Sequence, residues 1–408
     1  MGRIATAAFV ALLASLALGQ LGDPRLHAVP VALGLTAWGL VVVWLLGREG
    51  GAEAAEPLPP DEAADARRRA LFRLLALAAI VRIPLYTWPP TLSDDVYRYL
   101  WEGRVWLAGA SPFAQAPSDP SLAALRDATW EAVNHKDVSS IYPPLAQLLF
   151  VALTRFGVPG WKLAMSAADL ATAAVLWRRN PRLGWLWALL PLSAVESAAN
   201  GHLEAVGALL MALALGERGL VADAAAWLGA LLKLLPGVLL VRRPWPVRLG
   251  ALVLTAAAFA PLVGGGLTRG FTTYGERWSF NGAFWPLLEP VLGDDIARRV
   301  LLVVGAAAVA WALLTRRSRA SLLLWTCGAF VLLSPTVHPW YVLWPLVPAL
   351  WLGAEAWAWL AALAPLAYLV WADGTWHEDP WVRTAIWAGF AVAAAIVRWR
   401  RFTRPGPG

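Results

Sequence analysis

AVPVALGLTAWGLVVVWLL, residues 28–46, contains no charged side chain. As a helix rising about 1.5 Å per residue it spans roughly the 30 Å hydrocarbon core of a bilayer. Comparable apolar runs recur along nearly the whole 408-residue chain, which is 59% hydrophobic and only 15% charged. A soluble domain has about 45–50% apolar and about 25% charged residues. The mean hydropathy of +0.56 agrees. The expected fold class is therefore an all-α, polytopic membrane protein. Lys+Arg is 34 against 27 for Asp+Glu, a net charge of +7. In a membrane protein such an excess gathers in cytoplasmic loops, so it is not read as nucleic-acid binding. Only Lys136, Lys162 and Lys233 are lysines; the arginine and alanine bias points to a GC-rich bacterial genome. Cys327 is alone, which leaves neither a disulfide framework nor a cysteine metal site.

The charges set an orientation. Arg3 precedes the first apolar run, predicting a cytoplasmic N-terminus and helices over 4–22 and 28–46 joined by Asp23-Pro24-Arg25-Leu26-His27. Residues 4–22 have the make-up of a signal peptide, but the apolar segments that follow favour an uncleaved first span. The myristoylation pattern at Met1-Gly2-Arg3-Ile4-Ala5-Thr6 is too short and common to carry weight in a bacterial chain. A linker from Arg48 to Arg73, with Arg67-Arg68-Arg69, reads as cytoplasmic. A helix over 70–88 then runs outward to Trp88-Pro89-Pro90, an interface anchor and helix stop. In the second half, Arg242-Arg243-Pro244-Trp245-Pro246-Val247-Arg248 is inside. A helix over 249–264 leads to an external loop at 265–299, and a helix over 300–314 returns to Arg316-Arg317-Ser318-Arg319. Four more spans end at Arg398-Trp399-Arg400-Arg401. Five apolar segments between Ile141 and Val241 set Arg178-Arg179-Asn180-Pro181-Arg182 outside, against the rule; short or re-entrant helices within 141–217 reconcile the two. The expectation is about 12–14 spans with both termini inside. Two helices and a linker occupy 1–69, a central module 70–350, and C-terminal helices with a basic tail 351–408. No internal repeat is visible, which weakens an inverted-repeat transporter reading.

The external loop at about 89–142 opens with Ser93-Asp94-Asp95-Val96-Tyr97-Arg98-Tyr99-Leu100-Trp101. Val96, Tyr99, Leu100, Gly103, Trp106 and Leu107 recur at helical spacing. They predict an amphipathic interfacial helix, capped by Ser93, with Asp94 and Asp95 in its first turn. Two carboxylates just after a membrane helix stand where a reaction at the water–lipid boundary can occur. They also have a purely structural reading. A helix dipole stabilises such residues by about 0.3–1 kcal/mol, and Asp94 with Arg98 has ion-pair spacing. Polar residues elsewhere strengthen the functional reading: Tyr142 at the outer start of an apolar segment, the Glu196 to Glu204 stretch with His202, Lys233, Arg277 and Asn281 in another external loop, and His338 and Tyr341 at an outer helix end. A charge inside a span costs at least about 2.5–3.5 kcal/mol. Each has a plain alternative, with Lys233 snorkelling, His338 capping, or Glu196 and Glu204 pairing with Lys233. Together they predict an outward-facing polar cavity.

Ser93-Asp94-Asp95-Val96-Tyr97-Arg98-Tyr99-Leu100-Trp101-Glu102-Gly103-Arg104, Gly109-Ala110-Ser111-Pro112-Phe113, Asn134-His135 and Ile141-Tyr142-Pro143-Pro144 form a set. It resembles the first-loop signature of bacterial GT-C-fold glycosyltransferases, in the polyprenol-phosphate-mannose-dependent, α-mannosyltransferase-like branch. Asn200-Gly201-His202-Leu203-Glu204, Lys233 to Pro236 and His338-Pro339-Trp340-Tyr341 are similar to that group too. The resemblance covers roughly 70–350, with the first two helices an addition.

It implies a sugar, mannose by analogy, carried on a polyprenyl phosphate at the outer face of a bacterial plasma membrane. The acceptor is a lipid, glycan or protein. No nucleotide-binding Gly-rich loop and no full oxygen-ligand set is visible, so neither a cofactor nor a metal is expected, and nucleic acid is not a partner. A first-loop aspartate would take the acceptor proton during inverting displacement. Arg82, Lys233, Arg277 or His338 would meet the leaving phosphate, with Arg98, Tyr142, His202, Glu204, Asn281 and Tyr341 completing the substrate site. Asp94 ranks ahead of Asp95 as base, an order that reverses if Arg98 holds Asp94. Trp88, Trp101, Trp278 and Trp340 are candidates for sugar or lipid contact. The alternatives are a transporter or lipid flippase, which accounts for Lys233, Glu196 and Glu204, and a non-catalytic scaffold in which the aspartates cap a helix.

Overall fold

The computed structural model describes residues 2–47, 60–263, 266–316 and 318–403. The features expected at Met1, Arg48 and the first part of the linker, Arg317 and the end of the tail lie outside them. The described residues form helices and loops, with isolated β-bridges from Phe280 and Asn281 to Thr336. In chain order the first helices are α1 (Arg3–Gly19), α2 (Ala28–Leu46), α3 (Pro60–Tyr86), α4 (Asp95–Leu107), α5 (Ala128–Glu131), α6 (Pro144–Leu153) and α7 (Gly157–Arg179). Then come α8 (Pro181–Leu189), α9 (Pro191–Ala194), α10 (Glu204–Gly216), α11 (Gly219–Lys233), α12 (Trp245–Val263) and α13 (Leu267–Arg277). The last are α14 (Trp285–Leu292), α15 (Asp294–Thr315), α16 (Arg319–Leu333), α17 (Leu343–Trp351), α18 (Ala356–Leu363) and α19 (Pro380–Thr403). Among the described residues, four helical stretches, Ala28–Leu46, Pro144–Arg179, Asp294–Thr315 and Pro380–Arg400, are long and apolar enough to cross a membrane. The outer faces of α12 and α15 expose Leu252, Val253, Leu302 and Val303. Such faces suit lipid, not water, and this is an all-helical membrane protein.

Several boundaries differ from expectation: α12 starts at Trp245, not 249, α15 at Asp294, not 300, and two further shifts bear on the first half. Helix α3 starts at Pro60, not near 70, because the Ala, Glu and Arg residues ahead of the apolar run are strong helix formers and proline suits a helix start. Arg67, Arg68 and Arg69 are therefore helical. Helix α4 begins at Asp95. Asp94 holds the cap position without a side-chain cap bond, and the Asp95 N–H reaches Ser93 Oγ at a long 3.4 Å. The first turn thus carries one aspartate, not two.

Contacts between distant segments define two ends. At one, Arg182 donates to the carbonyls of Leu46 and Gly47 and pairs with Glu355 at 3.2 Å. Arg178 meets Glu217 at 3.3 Å, and Arg243 meets Asp223 at 2.7 Å. The 178–182 turn therefore shares an end with the finish of α2, which removes the conflict in the charge pattern. At the opposite end, Lys162 near the start of α7 donates to the carbonyls of Tyr86 and Trp88, both at 2.7 Å.

Two apolar segments do not run from end to end. Helix α6 is cut off from α7 at Gly157, where φ is +61°. It lies beside α4, with Thr154 Oγ1 donating to the Leu100 carbonyl at 2.7 Å. Helix α11 rises from Asp223 to Lys233. The chain then turns at Leu234 (φ +56°) and descends through a 3-10 segment, Leu235–Leu239, to Arg243 beside Asp223. Between them, α8 and α9 continue into a π-helical turn, Val195–Ala199. This turn leads to the loop carrying Asn200 and His202.

Gly103 permits the α4–α6 approach. A Cβ there would stand 2.3 Å from the Phe150 carbonyl oxygen, a backbone atom. We expect Gly103→Ala to cost about 1–3 kcal/mol and to lower the thermal midpoint of the detergent-solubilised protein. Gly275→Ala, where no atom lies within 4 Å, should leave it level or raise it. Equal midpoints for wild type and Gly103→Ala would show that α4 is not held this tightly.

Candidate functional site

A cavity of about 690 Å³ opens at the Lys162 end. Its wall takes Arg25 from the α1–α2 loop, Asp94 and Asp95 from the start of α4, and Asn134, His135 and Tyr142 from the following loop. Lys233, Tyr274, Arg277, His338, Trp340 and Tyr341 come from the central part of the chain, and Tyr368, Trp371 and Trp376 from the C-terminal part. The site thus draws on 1–69 and 351–408 as well as 70–350.

One arginine shapes the loop wall. Arg98, one turn after Asp95, donates to the carbonyls of Asn134 (3.1 Å), His135 (3.2 Å) and Val138 and to Glu102 Oε1 (3.1 Å). Glu102 Oε2 accepts from Ser140 Oγ (2.6 Å) and Gln147 Nε2 (2.9 Å). Burial pushes the Glu102 carboxyl above its ordinary pKa, although Arg98 and both neutral donors oppose the shift. The loop is so fastened to α4 that His135 adopts a left-handed backbone, φ +42°. Burial, with the charge of Arg98, holds the His135 pKa below its usual value.

The two aspartates have different surroundings. Asp94 pairs with Arg25 at 3.0 Å; Arg25 also donates to the Thr91 carbonyl and lies 3.9 Å over the Trp371 ring. Arg98 does not hold Asp94, so the i,i+4 pair anticipated from spacing gives way to a long-range one. Burial raises the Asp94 pKa and the Asp95 charge adds to the rise, with Arg25 opposing. Asp95 has only long hydrogen bonds, from Tyr99 Oη (3.3 Å) and Asn134 Nδ2 (3.4 Å). His202 Nε2 stands 3.9 Å from Asp95 Oδ2. A carboxylate on the wall without a committed cation retains acceptor capacity for an incoming hydroxyl.

Behind this wall, His202 is fully buried. Its Nδ1 lies 2.7 Å from Glu196 Oε2 and its Nε2 lies 2.9 Å from Ser93 Oγ. Glu196 also accepts from Tyr368 Oη and from Asn200 Nδ2 at 2.9 Å. Aromatic stacking joins His202 to Trp340 (3.9 Å between centroids) and Trp340 to His338 (4.4 Å).

The expected phosphate ligands separate. Lys233 Nζ reaches the cavity while pairing with Glu204 Oε1 at 2.8 Å. Glu196 is not part of that pair. Arg277 is exposed and meets the equally exposed Asp137 at 3.3 Å, a weak contact in water that a ligand can displace. Burial lowers the His338 pKa to about 3, so its imidazole is neutral near pH 7 and acts as a hydrogen-bonding group, not a cation. Arg82 is away from the cavity. It is buried, pairs with Asp169 at 2.7 Å and donates to the carbonyls of Ala78 (2.9 Å) and Ala188 (3.0 Å), binding α3 to α7 and α8. Asn281 borders a separate cleft with Glu378 and Arg383, where its N–H donates to Glu378 at 3.0 Å. Arg98 borders the cavity, but its donors are spent on the loop. Tyr341 takes a hydrogen bond from, or gives one to, Tyr274 (2.8 Å between oxygens). Among the described residues no group of three or more His, Cys, Asp or Glu is placed to hold a metal ion.

No protein-family model matches the chain, and a search of the curated proteins finds no match. The site residues that sequence reading passed over are Arg25, Tyr368, Trp371 and Trp376. Arg25 carried a signal, as a basic residue in the short loop assigned outside against the positive-inside trend. Tyr368 lay unmarked in an apolar run.

His338 generates a pH dependence. With a folded pKa of about 3 against about 6.5 unfolded, the unfolded chain binds more protons between those values. Stability should therefore fall as pH drops below about 6.5, by about 2 kcal/mol from this group by pH 5. Thermal midpoints measured from pH 7.5 to 5 should fall less steeply for His338→Gln than for wild type. An unchanged slope would mean that His338 does not titrate this way.

Proposed function

We propose that this protein is a membrane glycosyltransferase that moves a hexose from a polyprenyl-phosphate donor to a lipid, glycan or protein acceptor, with Asp95 as general base. The observation that carries the reading is the Asp95 carboxylate, bonded to neither Lys nor Arg, bordering the same cavity as Lys233 and Arg277. A cavity of about 690 Å³ has the size typical of small-ligand sites, about 300–1,000 Å³. Trp340, Trp371 and Trp376 on its wall offer faces for a sugar ring or isoprenoid chain. The resemblance of residues 70–350 to polyprenol-phosphate-mannose-dependent enzymes supplies the donor class, with mannose as the sugar.

The step balances simply. The acceptor oxygen forms a bond to the anomeric carbon, its proton passes to Asp95, and the bond from that carbon to the phosphate oxygen breaks with inversion. The leaving phosphate carries off the electron pair, and Lys233, Arg277 and a neutral His338 N–H stabilise it. Asp94, already paired with Arg25, holds the α1–α2 loop against the site. This reverses the order in which the sequence ranks the two aspartates, and the arginine responsible is Arg25.

We read the path between the two ends as about 12 membrane crossings, with α6 and the α11 hairpin not counted among them. Both termini and the basic turns at 178–182 and 242–248 then fall on the cytoplasmic side, and the cavity opens extracytoplasmically at the plasma membrane. A transporter or flippase remains the competing class, since Lys233 on the cavity wall paired with the buried Glu204 suits a substrate path.

Purified protein in nanodiscs, given polyprenyl-phosphate-mannose and membrane glycolipid extract, should release polyprenyl phosphate and form a mannosylated product. Asp95→Asn should lower turnover by about 10²–10⁴ while keeping the thermal midpoint near wild type; Asp94→Asn should cost far less. Wild-type rates in Asp95→Asn, or labelled lipid crossing vesicles with no bond cleaved, would sink the reading.

A further inference from the structure

The π-helical turn and the loop after it carry a group of side chains that the displacement chemistry does not use. His202 stands between two carboxylates, Glu196 at 2.7 Å from Nδ1 and Asp95 at 3.9 Å from Nε2. Its Nε2 is also 2.9 Å from Ser93 Oγ, two residues before Asp95. Glu196 itself is fixed by Tyr368 Oη and Asn200 Nδ2. The turn explains the placement. Widening the helix at Val195–Ala199 lets the His202 N–H bond back to the Glu196 carbonyl at 2.7 Å, which folds the imidazole over the Glu196 carboxylate.

We propose that Glu196 and His202 form a positioning pair that sets a positive charge behind Asp95 and holds its carboxylate toward the acceptor hydroxyl. This rests on Asp95 being the base. The geometry leaves the imidazole few alternatives. With Nδ1–H donating to Glu196, the nitrogen facing Asp95 either accepts from the Ser93 hydroxyl or, protonated, donates to it and faces a carboxylate. Two anions within 4 Å favour the second state, because an imidazolium without counter-ions is costly in a buried setting and this one has two. Burial alone pulls the His202 pKa down, yet its bond and charge interaction with Glu196 carry it above the ordinary value.

The other charges nearby do not remove this field. Glu204 also faces His202 but is bonded to Lys233. His338, reached through Trp340, is neutral. Asp94 adds a negative charge beside Asp95 and is offset by Arg25 at 3.0 Å. His135, with a lowered pKa, contributes none near neutrality. The tyrosines 99, 142, 274 and 341 that surround Asp95 are uncharged in the same range, each held above its ordinary pKa by burial. His202, its Nε2 3.9 Å from Asp95 Oδ2, is therefore the cation placed directly behind the carboxylate.

The test is the pH profile of donor turnover from pH 5 to 8.5, measured on full-length protein in nanodiscs with polyprenyl-phosphate-mannose and the glycolipid extract. His202→Gln keeps a side-chain amide near Ser93 but cannot be charged. Its acid limb should move up by on the order of one pH unit, with activity above pH 8 within roughly tenfold of wild type. Glu196→Gln should move the limb the same way, since it removes the anion that holds the imidazolium. A second arm needs no activity. The stabilisation from a raised histidine pKa is present at low pH and is lost as pH rises through the folded value. The thermal-midpoint gap between wild type and His202→Gln should therefore be widest near pH 6 and narrow toward pH 9. An even loss of rate across the pH range, or a midpoint gap independent of pH, would overturn the proposal while leaving Asp95 as base. Wild-type turnover in Asp95→Asn would instead remove the reading on which it rests.

Discussion

The guanidinium of Arg98 organises the candidate site. Its donors go to the carbonyls of Asn134, His135 and Val138 and to the Glu102 carboxylate. A loop of this length has no strand or long helix to satisfy its backbone, and buried carbonyls need donors. The planar fork of an arginine meets several of them from one side chain, which a lysine cannot do in a fixed direction. Because Arg98 lies one helical turn after Asp95, the same contacts that close the loop also set the height and angle of the aspartate. Asn134 reaches Asp95 because Arg98 grips the Asn134 carbonyl.

The remaining charges follow one rule with different consequences. Charge in an apolar interior is tolerated when paired and hydrogen-bonded. Arg82 with Asp169 satisfies the rule completely and becomes a clamp among α3, α7 and α8, with nothing left for a ligand. Lys233 with Glu204 satisfies it partly: Glu204 Oε2 has no hydrogen-bond partner, and Lys233 borders the cavity. Asp95 satisfies it least, with two long hydrogen bonds and partial exposure. The degree of pairing therefore separates structural from ligand-ready groups better than residue type or sequence position does.

Much of this was legible in the sequence, and the rest was hidden for identifiable reasons. The bounds of α2 followed from an uninterrupted apolar run, and the acidic start of α4 followed from helical spacing. The Glu204–Lys233 pair was one of the readings open for those residues. Arg82 was misplaced among the phosphate ligands because a sequence shows a charge near a helix end but not the Asp169 that neutralises it. Asp94 with Arg98 looked like a pair at i,i+4, yet Arg98 turns to its own loop and Arg25 arrives from a different hairpin. Local spacing proposes local partners, whereas tertiary packing selects among all donors within reach. The topology conflict at 178–182 had the same origin, since hydropathy counts α6 and α11 as spans without seeing that Gly157 and Leu234 turn them aside.

The two part-way segments both adjoin the cavity, since Tyr142 just before α6 and Lys233 at the end of α11 lie on its wall. Helices packed end to end would fill their own core with side chains, as close-packed interiors do. Helix α6 instead lies beside α4, and α11 stops at Lys233 before turning back. Both interruptions occur where the backbone takes a positive φ, at Gly157 and at Leu234. The second is the more telling, because a branched aliphatic residue gains nothing from that conformation and bears a steric cost for it. That strain is compensated by the contacts it makes possible: Lys233 brought against Glu204, and the descending chain returned so that Arg243 meets Asp223. The strained residue and the cavity-facing cation are neighbours in sequence because one turn serves both.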